Sequence, residues 1–338
     1  MLKPSRLLLF IALFFIQFAL YAQSCGTRQL DPRIAAFLKR IGNRDLTLEQ
    51  YRKIPVALMR KSGPPYRAYP QTDVQRIKIT ADSIPTLIFN PSHKQNLPII
   101  VYYHGGGFIY PLIPAYEYEI WETAKTFDAI VIAVDYRVAP EYKFPTAVND
   151  SYAAFQWTLQ HGQEFGGDTS RIVLMGNSAG ANLVAVASQK AKKQGIANKI
   201  KLQVMNGLPI DGSPEHMETS VSYQENATGF MQTKAACYFS VECYAPGDIY
   251  KNPEASPMLT EDLSGLPPAV IINAEFDPLR EDGVAYAAKL RKSGVMVWDK
   301  CFAGQIHCLI GLPPDSEELK AYNALIQTAM NETLGKGK

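Results

Sequence analysis

Arg171-Ile172-Val173-Leu174-Met175 runs into Gly176-Asn177-Ser178-Ala179-Gly180, and Ala181-Asn182-Leu183-Val184-Ala185-Val186-Ala187 follows. The first run is short, apolar and rich in β-branched residues, and reads as a buried strand. The last run reads as a helix. A Gly-x-Ser-x-Gly between strand and helix is the pattern of a nucleophile elbow. The turn is so tight that its flanking positions accept little beyond glycine, and it lifts the serine hydroxyl clear of the sheet. Five common residues in this order recur by chance, so the strand before and the helix after give the match its weight.

The same texture extends outward from the elbow. Short β-rich runs occur at Arg76–Thr80, Thr86–Asn90, Pro98–Tyr103, Ala129–Tyr136, Arg171–Met175, Lys201–Asn206, Ala269–Ala274 and Val295–Asp299. Helical patterns separate the later ones, at Tyr116–Phe127, Pro145–Gln160, Ser178–Lys193, Arg280–Lys292 and Ser316–Leu334. Continuous apolar strands alternating with helices predict an α/β fold, with a mostly parallel central sheet covered by helices on both faces. The first two runs, joined by a short turn, predict an antiparallel edge. Between Met205 and Ala269 the rhythm breaks for longer than an ordinary connection allows. Residues 211–248 are therefore expected to form an inserted helical cap, with an amphipathic stretch at Met231–Tyr244. Its aromatic content argues against disorder. Residues 23–75, ending in the breaker cluster Gly63-Pro64-Pro65, are expected to form an N-terminal element that packs with the cap over the mouth of the sheet. The remainder, 76–338, is the main domain.

The chain has 338 residues, 47% of them hydrophobic, which is enough for one large core. Lys3 and Arg6 account for the whole excess of 34 basic over 32 acidic residues. No long basic run interleaves with aromatics, so nucleic acid is excluded as a partner. The same two residues precede the apolar run Leu7–Tyr21, followed by small residues at Ala22 and Ser24: a secretory leader over 1–22, cleaved after Ala22. The apolar run is shorter than the ~20 residues that span a bilayer, so no stable membrane span is expected after cleavage. Leu20–Cys25 resembles a bacterial lipobox only loosely, which leaves a lipid anchor at Cys25 as the alternative to a free secreted or periplasmic chain. The other cysteines are Cys237, Cys243, Cys301 and Cys308. The close spacings suggest the pairs 237/243 and 301/308, with buried free thiols as the competing reading. No Cys-x-x-Cys or histidine cluster calls for a metal, and no cofactor is expected.

A serine hydroxyl attacks only when a base takes its proton and a third group holds that base. Of the five histidines, only His307 lies beyond Ser178 and the late strands, in a loop expected after the Val295–Asp299 strand. Asp277 follows the Ala269–Ala274 strand and precedes Pro278, which fixes a turn that aims the carboxylate. Glu275 and Asp282 are its rivals for the acid. His104-Gly105-Gly106-Gly107-Phe108 follows the Pro98–Tyr103 strand; glycines there let backbone N–H groups of Gly105 and Gly106 approach a reacting oxygen, with Ala179 N–H as a third donor. The loop lacks the Lys-Ser/Thr of a phosphate loop. His104 reads as a loop anchor.

Taken with Asp135-Tyr136-Arg137-Val138-Ala139-Pro140-Glu141, Ser256-Pro257, Leu266-Pro267-Pro268 and Asp277-Pro278-Leu279, these stretches resemble the hormone-sensitive-lipase-like (family IV) carboxylesterases of the α/β-hydrolase superfamily. The resemblance runs in order from Ile99 to His307. It implies an α/β-hydrolase fold with a cap and an acyl-enzyme mechanism on a small ester substrate. In it Ser178 is nucleophile, Asp277 acid, His307 base, and Gly105, Gly106 and Ala179 form the oxyanion hole. It also implies that Asp135 and Arg137 brace the oxyanion loop. An amidase or deacetylase with the same triad, or a ligand-binding protein on this scaffold, are the alternatives; acyl-chain length and oligomeric state stay open. Phe230, Met231, Tyr238 and Phe239 are candidates to line the substrate pocket. Three positions depart from the pattern: Asn177 stands for the usual Asp, Ala181 for a Gly, and Cys308 for the Gly that follows the histidine.

Overall fold

A computed structural model describes residues 25–42, 45–61, 67–80 and 83–335. The expected leader and the Gly63-Pro64-Pro65 breaker lie outside them. Among the described residues eight strands form one sheet: β1 (Val74–Ile79), β2 (Ile84–Phe89), β3 (Leu97–Tyr103), β4 (Ile130–Val134), β5 (Gly167–Asn177), β6 (Ile200–Asn206), β7 (Ala269–Phe276) and β8 (Val297–Ile306). Their spatial order is β1-β2-β4-β3-β5-β6-β7-β8. The β1–β2 and β2–β4 pairs are antiparallel and the rest parallel.

The parallel strands are apolar on both faces because both are covered. Ile99, Val101 and Tyr103 of β3 join one core with α5 (Thr146–His161), α6 (Ala179–Lys193) and α10 (Arg280–Lys292). Ile100 and Tyr102 join the other with α4 (Pro114–Thr126) and α11 (Glu317–Thr333). This period-2 partition leaves polar chemistry to the strand ends. Connections leave β3 and β5 in opposite directions along the sheet, so a crevice opens at their carboxyl ends, where ligands bind in such sheets.

Ahead of the sheet lie α1 (Pro32–Ile41), α2 (Leu48–Lys53) and α3 (Val56–Met59); between β6 and β7 lie α7 (Pro214–Thr219), α8 (Val221–Glu225) and α9 (Lys234–Tyr244). The two groups meet. Tyr51 of α2 stacks on Phe239 of α9 with ring centroids 5.4 Å apart, and Arg52 pairs with Glu242. No helix among the described residues is long and apolar enough to cross a membrane.

Two expectations need correction. Cys25 is bonded to Cys301, with Cα atoms 5.3 Å apart, and Cys237, Cys243 and Cys308 are free. Cys237 and Cys243 share helix α9 and stand about 9 Å apart along its axis, beyond bridging range. Cys301 and Cys308 are separated by the length of an extended strand. The sulfur that a lipid anchor at Cys25 would need is engaged in the disulfide. Second, β8 does not end at Asp299 but runs to Ile306, so the stretch expected as a loop before His307 is strand.

Candidate active site

Ser178 sits between β5 and α6 with φ 53° and ψ −123°, a left-handed conformation costly for a residue with a Cβ, of order 1–3 kcal/mol. Its neighbours make the turn sterically compulsory. A Cβ on Gly176 would collide with the Gly180 backbone, and one on Gly180 would run into the Tyr103 carbonyl of β3. The Ser178 N–H donates to Asn206 O at the end of β6 (2.8 Å), tying the elbow to the adjacent strand.

Asp277 follows β7 and is fully buried. Its Oδ1 accepts from Leu279 N (2.9 Å) and its Oδ2 lies 2.7 Å from His307 Nδ1. Asn226 Nδ2, from the segment after α8, donates to Asp277 O at 3.0 Å. His307, 5% exposed, follows β8 directly, and its ring lies against Gly207, the residue after Asn206. Burial alone would push the imidazole pKa down; the Asp277 carboxylate, with the Cys308 sulfur beside it, outweighs that and raises it well above the ordinary value. The other ring nitrogen, Nε2, has Cys308 Sγ at 3.4 Å, and the same sulfur lies 3.6 Å from Asn206 O. Cys308 itself adopts φ 56°, a conformation suited to glycine.

The rival acids are occupied elsewhere. Asp282 Oδ1 meets His216 Nε2 of α7 at 2.6 Å and Oδ2 accepts from Ile210 N; burial pushes its carboxyl up to about 6. Glu275 accepts from Arg28 N and Gly304 N.

The glycine loop after β3 abuts the elbow: a Cβ on Gly105 would stand 3.4 Å from Ser178 Cβ. The N–H groups opening α6, Ala179's among them, face the same end of the sheet, where the first turn of a helix leaves donors without intrahelical partners. His104 is buried, stacks on Tyr136 (4.1 Å) and places its Nδ1 2.7 Å from Gly105 O; burial lowers its pKa to about 4. Asp135 Oδ1 accepts from Leu112 N (2.8 Å), holding the far end of the loop. Arg137 grips Asp150 of α5 through Nε (2.9 Å), Nη2 (2.6 Å) and its backbone N–H (3.0 Å).

A cleft opens over Ser178. Its wall comes from α9 residues Cys237, Ser240, Val241 and Tyr244, and Met217, Tyr223 and Leu279 also line it. None of Phe230, Met231, Tyr238 or Phe239 does so. Phe230 packs on Phe276 (4.8 Å), Tyr238 bonds Glu218, and Phe239 faces α2. The lining residues sit at spacings i, i+3, i+4 and i+7, one helical stripe that the sequence displays.

Residues 100–311 match the family model described as the alpha/beta hydrolase fold. An arylesterase of Saccharolobus solfataricus is 32% identical over 297 residues, covering 86% of this chain and 95% of its own. Bovine arylacetamide deacetylase is 30% identical over 71% of this chain and 76% of its own. The solved structure of a hyperthermophilic esterase from the archaeon Pyrobaculum calidifontis superposes with a TM-score of 0.75 at 30% identity, over 90% of this chain and 98% of that one. The chain belongs to the α/β-hydrolase family, in its hormone-sensitive-lipase-like branch of serine carboxylic ester hydrolases.

Proposed function

We propose that the protein is an exported serine carboxylesterase that hydrolyses short-to-medium acyl esters through an acyl-enzyme. One observation carries the reading: a buried imidazole 2.7 Å from a carboxylate and a serine held at positive φ on a strand–helix elbow converge on Asn206, whose carbonyl accepts from Ser178 N–H and lies 3.6 Å from the sulfur of Cys308, the residue after His307. In the reaction His307 Nε2 takes the Ser178 proton as Oγ attacks the ester carbonyl. Asp277 keeps the imidazole proton on Nδ1 and stabilises the imidazolium. N–H groups of Gly105, Gly106 and Ala179 receive the oxyanion, each worth about 100- to 1,000-fold in rate. His307 then protonates the leaving alkoxide, and a water repeats the sequence to release the acid. The mainly apolar cleft over Ser178 supports an acyl chain of limited length.

Export rests on the N-terminal pattern of Lys3, Arg6 and the apolar run, and is supported by the Cys25–Cys301 disulfide, a bond that persists in oxidising compartments. Likeness to an arylacetamide deacetylase favours amide cleavage as the second reading. Ser178→Ala is expected to abolish p-nitrophenyl butyrate hydrolysis and labelling by a fluorophosphonate probe while far-UV circular dichroism is unchanged. Retained turnover refutes the assignment, and an unlabelled wild type points to a ligand-binding protein. Matched ester and amide substrates separate esterase from amidase.

A further inference from the structure

The β7–β8 ladder is interrupted beside the acid and base. Ala274 pairs with Phe302 and Phe276 with Ile306, so Glu275 alone stands opposite Ala303, Gly304 and Gln305. This is a bulge with two extra residues, and bulges next to active sites re-aim the side chains beyond them. Here the side chain beyond is His307. A bulge leaves backbone groups outside the ladder, and buried ones require partners.

Gly304 finds both of its partners outside β8's own ladder. Its N–H donates to Glu275 Oε2 (2.8 Å), and its carbonyl accepts from Asp31 N (3.0 Å). Glu275 is 1% exposed, and its Oε1 is taken by Arg28 N (2.7 Å). Asp31 Oδ2 accepts from Gln305 Nε2 (3.1 Å), the next residue of the bulge. The strap of residues 25–31 that supplies Arg28 N and Asp31 is fixed at its start by the disulfide to Cys301, two residues before the bulge. Gly26 allows the close approach: a Cβ there would stand 2.6 Å from Glu275 Oε2 and 2.7 Å from Ala303 Cβ.

We propose that Glu275, clamped by this disulfide-anchored strap, is a positioning residue for His307: it sets the shape of the 303–305 bulge and so the aim of the imidazole at Asp277 and Ser178. The inference rests on His307 being the base. Glu275→Gln is nearly isosteric but sets an amide N–H₂ against one of two backbone N–H donors, so one of the two hydrogen bonds is lost. A shift of the base by about 1 Å costs on the order of 100-fold.

The test uses the full chain with p-nitrophenyl butyrate. Glu275→Gln is expected to lower kcat about 10- to 100-fold with KM changed less than about three-fold. The acid limb of kcat/KM should also move to lower pH as Asp277 loses its hold on the ring. The Cys25→Ser/Cys301→Ser variant is expected to change in the same direction, as is wild type reduced by dithiothreitol. The reductant delivers two electrons and two protons to the sulfurs and leaves as its cyclic disulfide. A fall in melting temperature alone, with kcat and the pH profile unmoved in protein that circular dichroism shows folded, overturns the proposal. Should Glu275→Gln not fold, the disulfide variant decides, and unchanged kcat and pH profile there overturn it equally. Ser178→Ala in parallel separates the two failures: if it stays active, the serine mechanism itself is wrong.

Discussion

Asp277→Asn isolates the role of one charge at constant shape. The carboxylate spends Oδ1 on Leu279 N (2.9 Å) and Oδ2 on His307 Nδ1 (2.7 Å). In the asparagine variant the carbonyl oxygen must keep Leu279 N–H, because the amide nitrogen there would face a donor. The amide N–H₂ then points at His307 Nδ1 and forces the ring proton onto Nε2, the nitrogen that must receive the serine proton. A wrong tautomer of this kind lowers kcat by about 10⁴, or roughly 5 kcal/mol of barrier. The pH profile carries a second signature. The base works only when neutral, and the wild-type imidazole pKa is raised, so kcat/KM is lost as pH falls through a value above the ordinary imidazole range. Without the carboxylate, burial acts unopposed by it and the acid limb moves to lower pH. Stopped or steady-state assays with p-nitrophenyl butyrate between pH 5 and 9 measure both. A loss under ten-fold, or an unmoved acid limb in folded protein, refutes the assignment of Asp277.

Cys308→Gly removes the sulfur 3.4 Å from His307 Nε2 and relieves φ 56°; the acid limb of kcat/KM is expected at lower pH, with kcat retained within about three-fold, and an unchanged limb would show that the sulfur does not act on the base. Met217→Ala enlarges the cleft, so the octanoate-to-butyrate ratio of kcat/KM should rise by about ten-fold, the scale of one or two methylenes. An unchanged ratio places the end of the acyl chain elsewhere.

The sheet was legible because strands buried on both faces must be apolar throughout, as Ile99–Tyr103 and Ile130–Val134 are. The chemistry was legible as order along the chain: glycine loop, elbow, acid, base. What escaped depends on long-range partners. Ala303-Gly304-Gln305 looks like a loop because its glycine and amide break the pattern, yet it stays in β8 with Glu275 and Asp31 satisfying its backbone. Cys25 and Cys301 are 276 positions apart, a distance at which spacing says nothing about proximity. The grip of Arg137 on Asp150, a residue of helix α5, is likewise a pairing that the motif does not display. The pocket wall was readable in principle. Cys237, Ser240, Val241 and Tyr244 form one stripe of α9, whereas Tyr238 and Phe239 fall outside that stripe and Phe230 and Met231 precede the helix.

The disulfide also closes a covalent ring around most of the molecule. Ser178, Asp277 and the α7–α9 segment all lie within the 25–301 span, and His307 follows six residues past its closure. A single backbone cut anywhere inside that span, by a protease reaching an exposed turn between helices, leaves both pieces joined through the sulfurs. The nicked chain keeps nucleophile, acid and base in one covalent unit, and only reduction lets the fragments part.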